Sequence, residues 1–424
     1  MSASPQARRL RSRSSRPDGE ASGAAAGPRR RALRGALRTA PIRVAAVFPE
    51  LTRERAPLLD RVAAHPELDL TAIYAGPAVA GRDPRPDPRH RAVFLRRLRL
   101  SGARSLADRF PLTLGVRRAL ASTAPEVVVV AGWRASVAQA AIAWCGLAHV
   151  PYVLVVEGYE DARAGWRRRV DEAVVSPIVQ RARGVLVAGT SARRTMLERG
   201  AQPEHVRVFA DTIDVEDFGS RADRLAVRRP ELRAALGAGA SDVLVLSVGP
   251  LAPEKRNAEL VHALAQAGDD RLLLVLAGDG PERERLEDLA RIRGVRLHVA
   301  GDHAFEPLEL YAAADVFALL SERETWAVVV NEAAACGLPL LLSDGIGAAH
   351  DLLADGENGF LVEAGDVDGA AGALHRLAGD PELRETYGAR SRELARDWGY
   401  GPSVDGFLAA VREAVSAERV AARS

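Results

Sequence analysis

Short apolar runs recur along this 424-residue chain in two separate series, and that rhythm limits the fold more than any single residue does. The first series occupies positions 42–48, 70–74, 127–130, 152–156, 185–187 and 206–209. The second occupies 243–248, 272–276, 295–299, 316–320, 338–342 and 360–362. Each run has strand length, and those of the second series are apolar on both faces, as buried parallel strands are. Helical or loop stretches separate them, so the pattern predicts an α/β chain with two doubly wound, Rossmann-like sheets. Ligands of such sheets bind beyond the carboxyl ends of the strands, which places the expected site in a cleft between the domains.

The expected organisation is a basic tail over 1–40, a first domain over 41–220, a linker over 221–240 and a second domain over 241–396. A last helix over 400–424 follows the loop with Trp398 and Tyr400. The tail carries arginine, alanine, serine, proline and glycine without periodicity, and reads as disordered. Basic and acidic residues number 58 and 56, so the overall charge does not describe a nucleic-acid binder. Cys145 and Cys336 stand alone in apolar helical contexts and offer neither a disulfide framework nor a metal-ligand cluster. No apolar run reaches the roughly 18 residues a membrane span needs, and the arginine-dense start lacks a secretory core. A cytoplasmic location is the expectation.

Lys255 is the only lysine among those 58 basic residues. Where arginine is the habit, a retained lysine suggests a use for a compact ammonium. It sits in Gly249-Pro250-Leu251-Ala252-Pro253-Glu254-Lys255, a turn between a strand and a helix. Gly249 lets backbone approach a phosphate, the helix start favours anions, and the ammonium can neutralise developing charge. A second strand-to-helix turn, Gly278-Asp279-Gly280-Pro281, is ordinary turn chemistry and serves structure as readily as binding.

The most informative segment is Glu324-Thr325-Trp326-Ala327-Val328-Val329-Val330-Asn331-Glu332. Eight positions are about two helical turns, so a helix beginning near Trp326 sets Glu332 on the face below Glu324. Both carboxylates and the free N–H groups of the helix start can then line one pocket. Glu332 lies in an otherwise apolar stretch, where an unpaired carboxylate is costly. That expense favours function over a solvated helix charge.

Taken in order, Gly249 to Lys255, Gly278 to Pro281, Glu324 to Glu332 with Ala333, Gly337-Leu338-Pro339, Ser343-Asp344 to Gly347 and Asn358-Gly359-Phe360 resemble the family 4 glycosyltransferases. The match spans about residues 240–370. The resemblance implies the GT-B architecture, in which two Rossmann-like domains face a central cleft. The first domain would bind the acceptor, the second would bind a nucleotide-sugar donor, and the last helix would cross back to the first. It also implies retention of anomeric configuration without a metal or other cofactor. By the same resemblance Lys255 contacts the donor diphosphate, Glu324 the transferred sugar and Glu332 the ribose. The expected donor site comprises Gly249, Lys255, Gly278, Glu324, Thr325, Trp326, Ala327, Val328 and Glu332.

Several positions depart from the family pattern. Pro250 replaces an arginine, so one of two expected cations at the pyrophosphate is missing. Ala327 replaces a glycine and limits backbone approach to the sugar. Glu157 follows the strand 152–156 where many relatives have histidine, and becomes the candidate assistant to catalysis beside Lys255 and Glu324. Asp211-Thr212-Ile213-Asp214 replaces Asn-Gly-Val-Asp.

Between Arg85 and Arg118 arginines alternate with Phe94, Leu95, Leu98, Leu100, Phe110, Leu112 and Leu114. Such a stretch can rest on an anionic membrane surface and bring a lipid-linked acceptor close, or it can be helices whose solvated charge is arginine by habit. The segment 163–169 raises the same pair of readings. The expected activity is sugar transfer to a saccharide or lipid-linked saccharide, as in cell-wall, extracellular polysaccharide or glycolipid synthesis. A degenerate, non-catalytic relative that binds a partner is the competing reading. A GT-B phosphorylase would need more than one lysine.

Overall fold

The computed structural model describes residues 40–76, 87–98, 112–158, 166–301 and 305–421. Nearly all of the 1–40 tail, part of the arginine-rich stretch, residues 163–165 of the second one and 422–424 lie outside the described residues.

The first series of runs forms β1 (Ile42–Phe48), β2 (Leu68–Tyr74), β6 (Val127–Ala131), β7 (Tyr152–Val156), β8 (Gly184–Val187) and β9 (Val206–Val208). A strand at the edge, β3 (Arg91–Phe94), completes a seven-stranded sheet of order β3-β2-β1-β6-β7-β8-β9. The second series forms β10 (Val243–Val248), β11 (Leu272–Ala277), β12 (Arg296–Ala300), β13 (Val316–Leu319), β14 (Leu340–Ser343) and β15 (Gly359–Val362). Their order is β12-β11-β10-β13-β14-β15, and every pairing in both sheets is parallel. Chain order reverses between β1 and β6 in one sheet and between β10 and β13 in the other, which are the points where such sheets open a crevice.

Both faces of each sheet are buried, as the continuous apolar runs require. Val44, Ala46 and Phe48 of β1 enter one core while Ala45 and Val47 enter the opposite one. Leu244 and Leu246 of β10 are likewise separated from Val243 and Val245. The last helix, Tyr400–Ala421, packs on the first sheet, with Phe407 5.5 Å from Phe209 between ring centres.

Two regions differ from the sequence expectation. Part of the basic 85–118 stretch is extended: β3 joins the sheet, and β4 (Arg96–Leu98) pairs antiparallel with β5 (Leu112–Leu114). Only Val116–Thr123 is helical there among the described residues. The 221–240 segment holds the end of the helix Val215–Arg224 and the helix Arg229–Ala235. Buried Arg233 fastens it to the second sheet by bonding Asp315 Oδ2 at 2.6 Å and the Ala313 carbonyl at 3.0 Å.

Candidate active site

Loops leaving β10, β11, β13 and β14 stack on one another at the carboxyl edge of the second sheet. The Gly249 N–H donates to the Ala277 carbonyl at 2.9 Å, and Leu251 N–H to Asp279 at 3.0 Å. A Cβ at Gly278 would lie 2.1 Å from the Gly249 carbonyl oxygen, so no other residue fits without moving the Lys255 loop. Gly278 is therefore placed to support that loop. Gly347 does the same for the next one, where a Cβ would meet the Thr325 carbonyl oxygen at 2.1 Å. Glu324 is held by backbone on both sides, its N–H donating to Gly345 and its carbonyl accepting from Gly347, at 3.0 and 3.1 Å.

This stacking brings together side chains 69 positions apart. Lys255 closes the turn Pro253–Lys255, and its Nζ makes an ion pair with Glu324 Oε1. Both side chains are mostly shielded, at 15% and 18% exposure, so the pair is far less screened than a surface one. Arg256 is not a second spare cation, because it pairs with Glu259 and Glu322.

The helix carrying Glu332 starts at Val328, with Ala327 before it in the left-handed region at φ 76°. Val330 N–H donates back to the Ala327 carbonyl at 3.0 Å, and the N–H groups of Val328 and Val329 before it have no acceptor within the helix. Glu332 is half-buried and accepts a 2.6 Å hydrogen bond from the Tyr311 hydroxyl. Burial pushes its carboxyl up to about 7, against the opposing pull of that bond and of Arg53. Glu324 and Glu332 are thus differently engaged, one with an ammonium and the other with a phenol.

Thr325 is exposed and Val328 half-buried, but the Trp326 indole turns away from the cleft. It is buried 4.8 Å from Trp398 between ring centres and donates through Nε1 to Asn331 Oδ1 at 2.9 Å. Asn331 in turn bonds Thr212 and the Trp398 carbonyl, both at 3.2 Å. The Trp326 side chain ties the seam between the two halves, which leaves its backbone as the part that can serve the expected donor site.

The first sheet contributes the facing wall. Glu157 follows β7 and accepts from Arg55 Nη2 at 2.5 Å. Arg55 also reaches Asp211 through Nε at 3.1 Å and Nη2 at 2.5 Å. Its guanidinium is buried beside the Phe48 ring, 4.8 Å from the centroid. Burial opposes that charge, yet the Asp211 and Glu157 carboxylates hold Arg55 well above the ordinary arginine range. Burial likewise raises Asp211, partly offset by Arg55. The two walls meet where a Cβ on Gly158 would be 2.8 Å from Thr325 Cα, and where Thr190 bonds Asp351 at 2.9 and 2.5 Å.

Arg55, Tyr311 and the role of Asp211 were not legible in the sequence. Arg55 is one arginine among many, and Tyr311 lies in an apolar helix. The available signal was that Glu157 and Asp211 both follow strands of one sheet, where two carboxylates call for a cation.

Residues 228–394 match the family model for group 1 glycosyl transferases, and residues 5–212 match that for a glycosyl transferase 4-like domain. A D-inositol 3-phosphate glycosyltransferase of Saccharomonospora viridis is 32% identical over 252 residues, 55% of this chain and 56% of that protein. An N-acetyl-α-D-glucosaminyl L-malate synthase of Bacillus anthracis is 32% identical over 171 residues, 38% of this chain and 43% of that protein. The chain thus spans about half the length of the curated relatives it matches. The structure of HepE from Anabaena, in complex with UDP and glucose, superposes with a TM-score of 0.64 at 18% identity, covering 90% of this chain and 100% of that one. A glycosyltransferase from Rickettsia africae gives 0.69 at 12% identity, covering 88% and 99%. At such identities these two structures speak for the fold alone. With a glycosyltransferase model matched on each half and the two-sheet fold shared with these structures, the chain belongs to the group 1 glycosyltransferases of GT-B architecture.

Proposed function

We propose that the chain transfers a sugar, with retention of anomeric configuration, from a nucleoside diphosphate to a saccharide or lipid-linked saccharide, in cell-wall, extracellular polysaccharide or glycolipid synthesis. The observation that carries this reading is the shielded Lys255–Glu324 ion pair at the strand ends of the second sheet. An arriving diphosphate offers the ammonium a stronger partner than one carboxylate, and Glu324 is then available to sugar hydroxyls. Glu332, in the second turn of the adjoining helix, is the candidate acceptor for the ribose hydroxyls. The N–H groups of Val328 and Val329 add donors for the phosphates without any reorganisation. Lys255 is the one cation this reading uses at the leaving group, since Pro250 supplies none. The departing phosphate can take the proton of the incoming hydroxyl on the same face, so no separate general base is required.

Two relatives are named for inositol 3-phosphate and malate, which supports a polar acceptor held by the first sheet. HepE was crystallised with UDP and glucose, which makes UDP the first nucleotide to try. Exposed Phe94 and Leu114, near exposed Arg96, Arg117 and Arg118, support peripheral contact with an anionic membrane. Among the described residues no helix is long and apolar enough to cross one.

A thermal-shift panel of UDP, GDP, ADP and their sugars tests the reading. A ligand at 100 times its Kd stabilises by about 2.7 kcal/mol. The sugar nucleotide that binds should then be consumed with an acceptor to give the α-product from an α-donor, followed by proton NMR. No shift with any nucleotide would sink the proposal, and a β-product would remove its retaining part.

A further inference from the structure

Arg55 and Asp211 already satisfy one another, since the carboxylate takes both Nε and Nη2 of the guanidinium. Fastening the helix Arg55–Ala63 to the sheet therefore does not require Glu157. Glu157 nevertheless sets Oε1 2.5 Å from Nη2, and its side chain stays 41% exposed at the cleft. Its second oxygen, Oε2, has no hydrogen-bond partner among the described residues. Position matters as much. Gly158, the next residue, lies against Thr325, the residue after Glu324. Glu157 and Glu324 are thus each one residue from the same contact, on opposite walls.

We infer that Arg55 is a positioning residue that aims the Glu157 carboxylate at the transferred sugar, and that this pair selects a neutral, hydroxyl-bearing sugar over one carrying a carboxylate. The inference rests on the donor-site reading above. A carboxylate oxygen only accepts hydrogen bonds, so hydroxyl hydrogens satisfy it and another anion is repelled. One guanidinium shared by two carboxylates leaves the cluster a net negative charge, which keeps that repulsion in force. Held from behind by Arg55, Glu157 cannot swing away to admit an anionic sugar.

The test is calorimetric titration of the full-length protein with UDP, UDP-glucose and UDP-glucuronate, or with GDP, GDP-mannose and GDP-mannuronate if the protein takes GDP. Wild type should favour the neutral sugar nucleotide by about tenfold or more, the scale of one hydrogen bond to a charged group. Glu157→Gln should cut that preference to about twofold and leave the Kd of the bare nucleotide unchanged. Arg55→Met should reproduce the loss of preference, and Arg55→Lys should restore part of it. Unchanged nucleotide binding separates positioning from general damage. If Arg55→Met does not fold, Glu157→Gln and Arg55→Lys decide. A wild-type preference retained in Glu157→Gln, with the nucleotide still bound, overturns the inference and spares the donor site. Failure of wild type to bind UDP or GDP removes the donor-site reading and this inference with it.

Discussion

The two walls of the cleft are built from similar sheets and held together by different means. On the second sheet, backbone packs directly on backbone, and Gly278, Gly280, Gly345 and Gly347 are among the positions where a single added carbon would collide. On the first, a buried arginine gathers two carboxylates from the ends of separate strands. Backbone stacking fixes the Lys255 and Glu324 loops, and their two charges are paired only with each other among the described residues. The arginine cluster uses two of its three charges for structure and leaves one carboxylate facing the cleft.

That contrast can be broken from either side. Arg55→Met leaves Asp211 buried without its cation and should cost about 3–5 kcal/mol, read from urea unfolding. A loss under about 1 kcal/mol would mean that charge does not hold the first wall. Gly347→Ala should cost about 1–3 kcal/mol through overpacking and also weaken nucleotide binding by displacing the Thr325 loop. Gly372→Ala, in a helix with nothing within 4 Å, is the control and should be neutral or slightly stabilising.

A smaller effect comes from Glu332. Its folded-state carboxyl titrates near 7, raised by burial, so the folded protein holds a proton that the unfolded chain releases. Its contribution to stability is therefore greatest below the ordinary carboxylate range and is lost as pH rises through about 7. On the proposed reading, in contrast, Glu332 accepts from the ribose hydroxyls in its ionised form. Nucleotide affinity should rise about tenfold between pH 6 and 8, and Glu332→Gln should flatten that rise. A slope unchanged in the variant would assign it to another group. The smallest change is Ala327→Gly, which should gain about 1 kcal/mol or less in thermal stability by relieving a left-handed alanine. No gain would show that the helix start is relaxed as it stands.

Legibility followed the same division. Runs of valine and leucine, apolar on both faces, made the strands of both sheets readable, and local turn chemistry pointed to Lys255 and Glu324 because each stands out within its own loop. The strand Arg91–Phe94 was hidden because it is a half-buried edge with arginine at its start, a weak pattern for burial. Arg55 and Tyr311 were invisible for another reason: each draws its role from a partner far along the chain, Asp211 and Glu332. The place of the Trp326 indole was invisible for the same reason, since only the partners Trp398 and Asn331 reveal that it points into the seam behind the loop.

In the proposed donor site Lys255 holds the diphosphate and Glu324 the sugar. Calorimetric titration of the nucleoside diphosphate selected by the panel, into wild type and Lys255→Ala, addresses that assignment most directly. Loss of one charge-assisted contact should weaken Kd by about 10–100-fold while the variant stays folded. A Kd unchanged in Lys255→Ala would contradict the account.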